Sequence, residues 1–290
     1  YWELTLVRGS MKYPLSKTFL TICALRFALP VFADLNGLEG LRAVPIMASE
    51  SMPKPIMGVG VGHDGTVYVT ETIRQQREEI SLIQSPFLHP HCMALDTTEA
   101  KRKWILENYA SNVIGRQGVK DYNGDGKVDV QDLSVRSEKI YTLQDSDGDG
   151  VYDKATLFAE GFNDLLTGCA HSVAPIGDHV YATIIPDLWK LTDSDGDGRA
   201  DRRESLAHGF APHIGYGNHD LHSILQGYDG KLYWSMGDRG ANVLTKEGKR
   251  VSNPHSGCIL RCNPDGSEFE VFAHGLRNCQ YFDFDNYGNL

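Results

Sequence analysis

Basic residues are scarce in this 290-residue chain: 28 lysines and arginines stand against 38 aspartates and glutamates, a formal net charge of −10. The deficit deepens past the N-terminus. Residues 1–33 carry Arg8, Lys12, Lys17 and Arg26 against Glu3, a net +3, which leaves −13 on the remainder. So acidic a surface repels phosphate backbones and anionic lipid, and it argues against nucleic acid as a partner. Long apolar runs are lacking after residue 33, so no later segment has the length to span a bilayer. A C-x-x-C-H pattern is also missing, so no c-type haem attaches within this stretch. Cysteine is sparse, with Cys92, Cys169, Cys258, Cys262 and Cys279 following residue 33. Cys258 and Cys262, read as lying on one strand, are separated by roughly 13 Å at about 3.3 Å per residue. That exceeds the reach of a disulfide, so they are not each other's partner.

The one long apolar run is N-terminal. Met11, Lys12 and Lys17 precede Thr18 to Phe32, interrupted only by Arg26, and Val31-Phe32-Ala33 offers small residues at a cleavage point. That is the three-part layout of a secretory signal. Residues 1–33 are thus expected to be leader plus signal peptide, and the protein to be exported, periplasmic or extracellular. Residues 34–290 are long enough for one large domain.

What is abundant is repetition. Leu157-Phe158-Ala159-Glu160-Gly161-Phe162 recurs as Ser205-Leu206-Ala207-His208-Gly209-Phe210 and as Val271-Phe272-Ala273-His274-Gly275-Leu276. Each copy is followed by an apolar run, a tight turn and a second apolar run. The turns are Gly177-Asp178, Asp229-Gly230 and Gly288-Asn289, with an earlier one at Asp64-Gly65. Such dipeptides between alternating apolar residues are hairpin signals. Four strands per unit with recurring punctuation predicts an all-β fold, a β-propeller of four-stranded blades with about three and a half blades present. Residues 71–138 interrupt the repeat between a second and a third strand. Asp96 and Glu99 there form a capping-box pattern before a helix in which Trp104, Ile105 and Tyr109 serve as anchors.

Three acidic loops carry the strongest chemical signal. Asp121, Asn123, Asp125, Asp129 and Asp132 occupy positions 1, 3, 5, 9 and 12 of an EF-hand-type loop, with Gly126 at position 6. Asp145, Asp147, Asp149 and Asp153 repeat the first nine positions around Gly150; Asp193, Asp195, Asp197, Asp201 and Glu204 fill the pattern around Gly198. Alternating carboxylates curl around a hard cation wanting six to eight oxygens, and the glycine permits the reversal. Calcium is the expected ion. At the second and third loops, which replace the turn of an outer hairpin, its expected role is stapling rather than catalysis. The first follows the inserted helix and fits a helix-loop pattern better.

Propeller topology gathers distant loops at one mouth. His171, His213, His219, His222, Asp238, Arg239, Asn242, Arg277 and Asn278 fall on such connections or on early inner strands, and they suit a redox or hydrolytic pocket. His219 and His222, three apart on an extended segment, point to opposite faces.

Asn218-His219-Asp220-Leu221-His222, Met236-Gly237-Asp238-Arg239-Gly240 and Gly275-Leu276-Arg277-Asn278 together resemble the soluble pyrroloquinoline quinone (PQQ) glucose/sorbosone dehydrogenases. A closer resemblance is to a set of membrane-bound dehydrogenases whose propeller carries Asp-x-Asp-Gly-Asp-Gly loops and often continues into helical repeats and a c-type haem domain. The resemblance runs from about Ile56 to the end. It implies His219 as the general base in oxidation of a sugar or alcohol, and Arg277, Asn278 and Asp238 as cofactor-binding residues. It also implies PQQ as cofactor and an electron acceptor such as a c-type cytochrome. Cys279 stands where the family has proline, and Val243 where the glucose enzymes have a cofactor-contacting glutamine. The alternative is a non-catalytic, calcium-binding propeller that serves as a docking or carbohydrate-binding platform.

Overall fold

A computed structural model describes residues 52–53, 55–74, 82, 88–109 and 119–290. The expected signal peptide lies outside the described residues. The strands group into three four-stranded antiparallel sheets, each made of strands consecutive in sequence apart from one hairpin excursion. The first holds β1 (Ile56–Val61), β2 (Val67–Glu71), β3 (Glu138–Gln144) and β4 (Lys154–Phe162). The second holds β5 (Ala170–Ile176), β6 (His179–Ile184), β7 (Asp187–Thr192) and β8 (Arg202–His208). The third holds β9 (Leu221–Gln226), β10 (Leu232–Met236), β13 (Gly257–Cys262) and β14 (Glu270–Leu276). Between β10 and β13 a separate hairpin, β11 (Ala241–Leu244) with β12 (Arg250–Asn253), stands apart from the sheet.

These sheets are propeller blades. Their first strands pack side by side, β1 against β5 and β5 against β9. The approach is close enough that a Cβ on Gly58 would sit 2.2 Å from the carbonyl oxygen of His171. Apolar cores fill the space between blades. Ile140, Phe158, Phe162, Val173, Val180, Ala182 and Leu191 lie between the first and second. Tyr181, Leu188, Leu206, Phe210, Leu232 and Trp234 lie between the second and third. Past β14 the Asp285–Asn289 turn closes, with the Asn289 carbonyl accepting from the Asp285 N–H, but residues 279–290 carry no strand.

The repeated motif has a physical meaning. In each outer strand the pairing skips one residue. Ile140 faces Ala159 and Tyr141 faces Leu157; Leu188 faces Ala207 and Trp189 faces Ser205; Ile259 faces Ala273 and Leu260 faces Val271. The skipped residues are Phe158, Leu206 and Phe272. Each copy is therefore a β-bulge at the same register, which re-aims its large apolar residue and sharpens the strand's twist. Phe158 and Leu206 are buried against the next blade, whereas Phe272 is exposed and meets Tyr233 edge-on.

The segment between Glu71 and Glu138 sits outside the sheets. Helices α1 (His89–Met93) and α2 (Thr98–Asn108) and a 3-10 turn at Val130–Ser134 pack around Leu88, Cys92, Ile105, Tyr109, Leu133 and Ile214. The N-cap of α2 is Thr97, whose hydroxyl accepts from the Ala100 N–H at 3.0 Å, not Asp96. The threonine sits one residue nearer the first helical turn, so its oxygen reaches the N3 amide. Ile105 and Tyr109 are buried as expected and Trp104 only partly; Lys101 is an additional anchor, donating to the Ala211 carbonyl at 3.0 Å.

His208, at the end of β8, holds the start of α2 to the second blade. Its Nδ1 donates to Asp187 at 2.9 Å and its Nε2 lies 3.1 Å from the Thr98 hydroxyl. The Asp187 hydrogen bond, opposed by burial and reinforced by the Asp187 and Glu99 charges, raises the His208 pKa. The stabilisation from the charged ring is therefore full below the ordinary histidine pKa of about 6.5 and is lost as pH rises through the raised folded-state value. The difference in melting temperature between wild type and His208→Gln should be larger at pH 6 than at pH 8.5. A difference that does not change with pH would remove the charged contact from the account.

Candidate functional site

The site grows from two short segments lying across each other. Residues 216–220 lead into β9, and residues 237–240 leave β10. Gly237 donates its N–H to the Asp220 carbonyl at 2.9 Å, and a Cβ there would lie 2.5 Å from the His219 carbonyl. This contact sets two side-chain pairs next to one another. His219 Nδ1 is 2.5 Å from Asp238 Oδ1, and Arg239 Nη1 is 2.5 Å from Asp220 Oδ1.

The two pairs differ in exposure, and so in chemistry. Asp220 and Arg239 are fully buried. Burial alone would push the Asp220 carboxyl up, but the Arg239 guanidinium and then His171 and His222 outweigh it and hold the group well below the usual carboxylate range. The His219 side chain is 11% exposed and that of Asp238 28%, so this pair reaches the surface. Burial also raises the Asp238 carboxyl, but the hydrogen bond and charge of His219, with Arg277 beyond, lower it overall. A carboxylate on Nδ1 fixes the Nδ1–H tautomer, which leaves Nε2 as the acceptor. Nε2 makes no hydrogen bond among the described residues.

Behind this pair lies a buried polar cluster. His171 occupies a bulge at the start of β5, where pairing passes from Ala170↔Ile184 to Ser172↔Thr183. β9 bulges likewise at Ser223, with φ +35°. The His171 and His222 rings meet edge-on at 4.2 Å. Burial, and then the His171 charge, push His222 down to about 3, so the ring is neutral and its Nε2 donates to Asn278 Oδ1 at 2.9 Å. The Asn278 amide in turn donates to the Asn218 carbonyl at 3.2 Å.

The expected site residues separate accordingly. His219, Asp238, Arg277 and Asn278 gather at one end of β9 and β10, with Arg277 exposed. His213 does not join them: its Nδ1 lies 2.7 Å from the Cys92 carbonyl and its ring stacks on His255, so it fastens the insertion. Asn242 likewise donates to the Asp96 carbonyl and accepts from Arg250. Val243 is fully buried in the core between blades. Cys169 and Asp220 belong to the central cluster and were not among the expected site residues. Their signal in the sequence was the Cys-x-His spacing and the Asn-His-Asp-Leu-His run, which spacing alone did not join.

The acidic loops lie far from this centre in the topology, in the β3–β4 and β7–β8 hairpins and ahead of the 3-10 turn. All three close in the same way. The first aspartate accepts backbone N–H groups of the fourth and sixth residues: Gly124 and Gly126 on Asp121, Gly148 and Gly150 on Asp145, Gly196 and Gly198 on Asp193. The sixth-position glycines have φ of +85°, +87° and +88°, a left-handed conformation that a side chain resists. Carboxylate oxygens of Asp145, Asp147 and Asp149 lie within 4.8 Å of one another, as do those of Asp193, Asp195 and Asp197. Several expected ligands have other partners. Asp153 and Asp201 clasp the N–H and hydroxyl of Ser146 and Ser194. Asp129 and Asp132 form a reciprocal cap on the 3-10 turn. Glu204 lies on β8, which begins at Arg202, and pairs with Lys246 at 2.9 Å.

A family model described as "Domain of unknown function (DUF7133)" matches residues 42–290. The chain belongs to this family. No curated protein matches it. Among solved structures, a luciferin-regenerating enzyme is similar at 8% identity and a TM-score of 0.34, over 77% of this chain and 46% of that one. This member of the DUF7133 family thus spans about half the length of that structure, and so distant a likeness does not bear on its chemistry.

The His219–Asp238 pair has a direct spectroscopic consequence. In ¹⁵N NMR at neutral pH, His219 should be held as the Nδ1–H tautomer, and Asp238→Asn should release it to the usual mixture. A tautomer unchanged in the variant would show that Asp238 does not orient the ring.

Proposed function

We propose that this family member is part of a quinone-dependent dehydrogenase acting on a sugar or alcohol, with His219 as the base that takes the substrate hydroxyl proton. The observation that supports this most is the His219–Asp238 pair. It combines an oriented imidazole, an unengaged Nε2 and a position at the rim of a loop cluster. A carboxylate on the far nitrogen stabilises the imidazolium formed when the proton arrives, which is what a general base requires.

The residues suit PQQ in donor type. Arg277 offers an exposed cation to an anionic cofactor. Asn278 uses one amide N–H on Asn218 and keeps the second for a quinone oxygen. When bound, the quinone supplies the two-electron acceptor for the hydride of the carbinol carbon. The protein's own part is to hold the hydroxyl against Nε2, accept its proton there, and shed that proton to solvent through the exposed edge. A c-type haem carrier is the proposed destination of the electrons. The non-catalytic docking platform remains the second reading, favoured by one observation: the Asn278 side chain is already bonded to both His222 and Asn218.

Calcium completes the proposal as a structural ion. Three carboxylates within 4.8 Å of one another repel unless a cation neutralises them, and hard oxygen donors select calcium. Titration calorimetry on the full-length protein should show about three sites. Each ion that binds only the folded state adds about 2.7 kcal/mol at a hundredfold excess over its Kd. Chelation should therefore lower Tm, and no binding at millimolar calcium would refute the assignment.

The catalytic reading is tested on the full-length protein supplied with PQQ and calcium, using sugars and alcohols with a dye acceptor. His219→Ala should lose about 10²–10⁴-fold in turnover, the range for a positioned base, with its circular dichroism unchanged. If the wild type takes up no quinone, or the variant keeps full turnover, the platform reading replaces it.

A further inference from the structure

Where the second and third blades meet at the centre, three side chains of metal-binding type converge from two segments. Cys169 immediately precedes β5, His171 sits in its bulge, and Asp220 immediately precedes β9. Their Sγ, imidazole nitrogen and carboxylate oxygen lie within 4.8 Å of one another. Cys169 and Asp220 are 0% exposed and His171 4%.

Two atoms in this cluster are left without hydrogen bonds. His171 Nε2 and Asp220 Oδ2 are buried with no partner, although they face each other at 3.7 Å. A buried polar atom left without a hydrogen bond costs about 1–3 kcal/mol, more when charged, and an ion between the two would engage both. The separation is too long for a hydrogen bond and close to what two ligands about 2.1 Å from a shared tetrahedral ion would show. The other carboxylate oxygen is held by Arg239, and such an outer partner fixes the direction in which a ligating oxygen points.

We propose that Cys169, His171 and Asp220 form a transition-metal site, with zinc as the ion. One sulfur, one nitrogen and one oxygen make a borderline-soft set that calcium, which takes oxygen ligands only, does not use. The anionic ligands are a thiolate and a carboxylate, the latter shared with the Arg239 guanidinium. Three protein ligands leave a fourth position for water. The ion ties the start of β5 to the start of β9, and through Asp220 it sits one residue from His219. The site is distinct from the acidic loops and does not depend on the quinone reading.

The test uses the full-length protein with its calcium sites filled. Elemental analysis after dialysis against micromolar zinc should give one zinc beyond the calcium. Binding should release a proton, because a coordinated cysteine is deprotonated. Cobalt substituted at the site should give a thiolate-to-metal charge-transfer band in the near ultraviolet and the visible bands of tetrahedral cobalt. Cys169→Ser should abolish the charge-transfer band and weaken zinc by more than the roughly 10–100-fold typical of losing an outer-shell partner. Cobalt bound by the wild type without a thiolate band would overturn the assignment without any variant, which covers the case in which Cys169→Ser fails to fold. The assignment also falls if no zinc is taken up, or if zinc binding is unchanged in a folded Cys169→Ser.

Discussion

A carboxylate with no exposure has to be paired, and Asp220 is the group on which the centre of this molecule turns. Taking such a charge out of water costs several kcal/mol, and a partner recovers that only with good geometry. Arg239 supplies it from the exit of β10, and the Gly237 N–H adds a second tie through the Asp220 carbonyl. These contacts fix two dipeptides against each other: His219-Asp220 on the way into β9, Asp238-Arg239 on the way out of β10. The inner pair is dry and the outer pair reaches solvent. Breaking a buried pair by removing one partner costs about 3–5 kcal/mol, so the outer pair inherits a rigid base. The precision of the His219–Asp238 contact is thus a consequence of the ion pair behind it.

The architecture was largely legible because the chain punctuates it. The Ala159, Ala207 and Ala273 copies occupy one register, and their neighbours Phe158, Leu206 and Phe272 form one bulge. Local chemistry of that kind survives in sequence. The repeat stops at Glu71, the end of β2, and resumes at Glu138, the start of β3. An error arose where a choice depends on one residue of helix start. Thr97 displaces Asp96 as the cap of α2.

The central cluster was the least legible part, and the reason is geometric. Cys169 and His171 lie about fifty residues from Asp220, and no periodicity links them. They meet because the first strands of neighbouring blades, β5 and β9, run side by side. Bulges at His171 and Ser223 then turn side chains that a regular strand would have sent elsewhere. A sequence reading that assumes strict alternation places these residues correctly along the strand but not around it.

The insertion adds a constraint on where chemistry happens. It lies over the same loop cluster, held through Lys101 to Ala211, Cys92 to His213 and Asp96 to Asn242. These contacts commit polar groups of the β8–β9 connection and of β11 to holding the insertion. His213 is the clearest case, since Cys92 takes its Nδ1 and His255 covers its ring. His222 is withdrawn differently, by burial that keeps it neutral and by its bond to Asn278. His171 faces inward to Asp220. Of the four histidines gathered on these connections, only His219 keeps an oriented ring, a free nitrogen and partial exposure together. The fold selects the base by committing its competitors to structure.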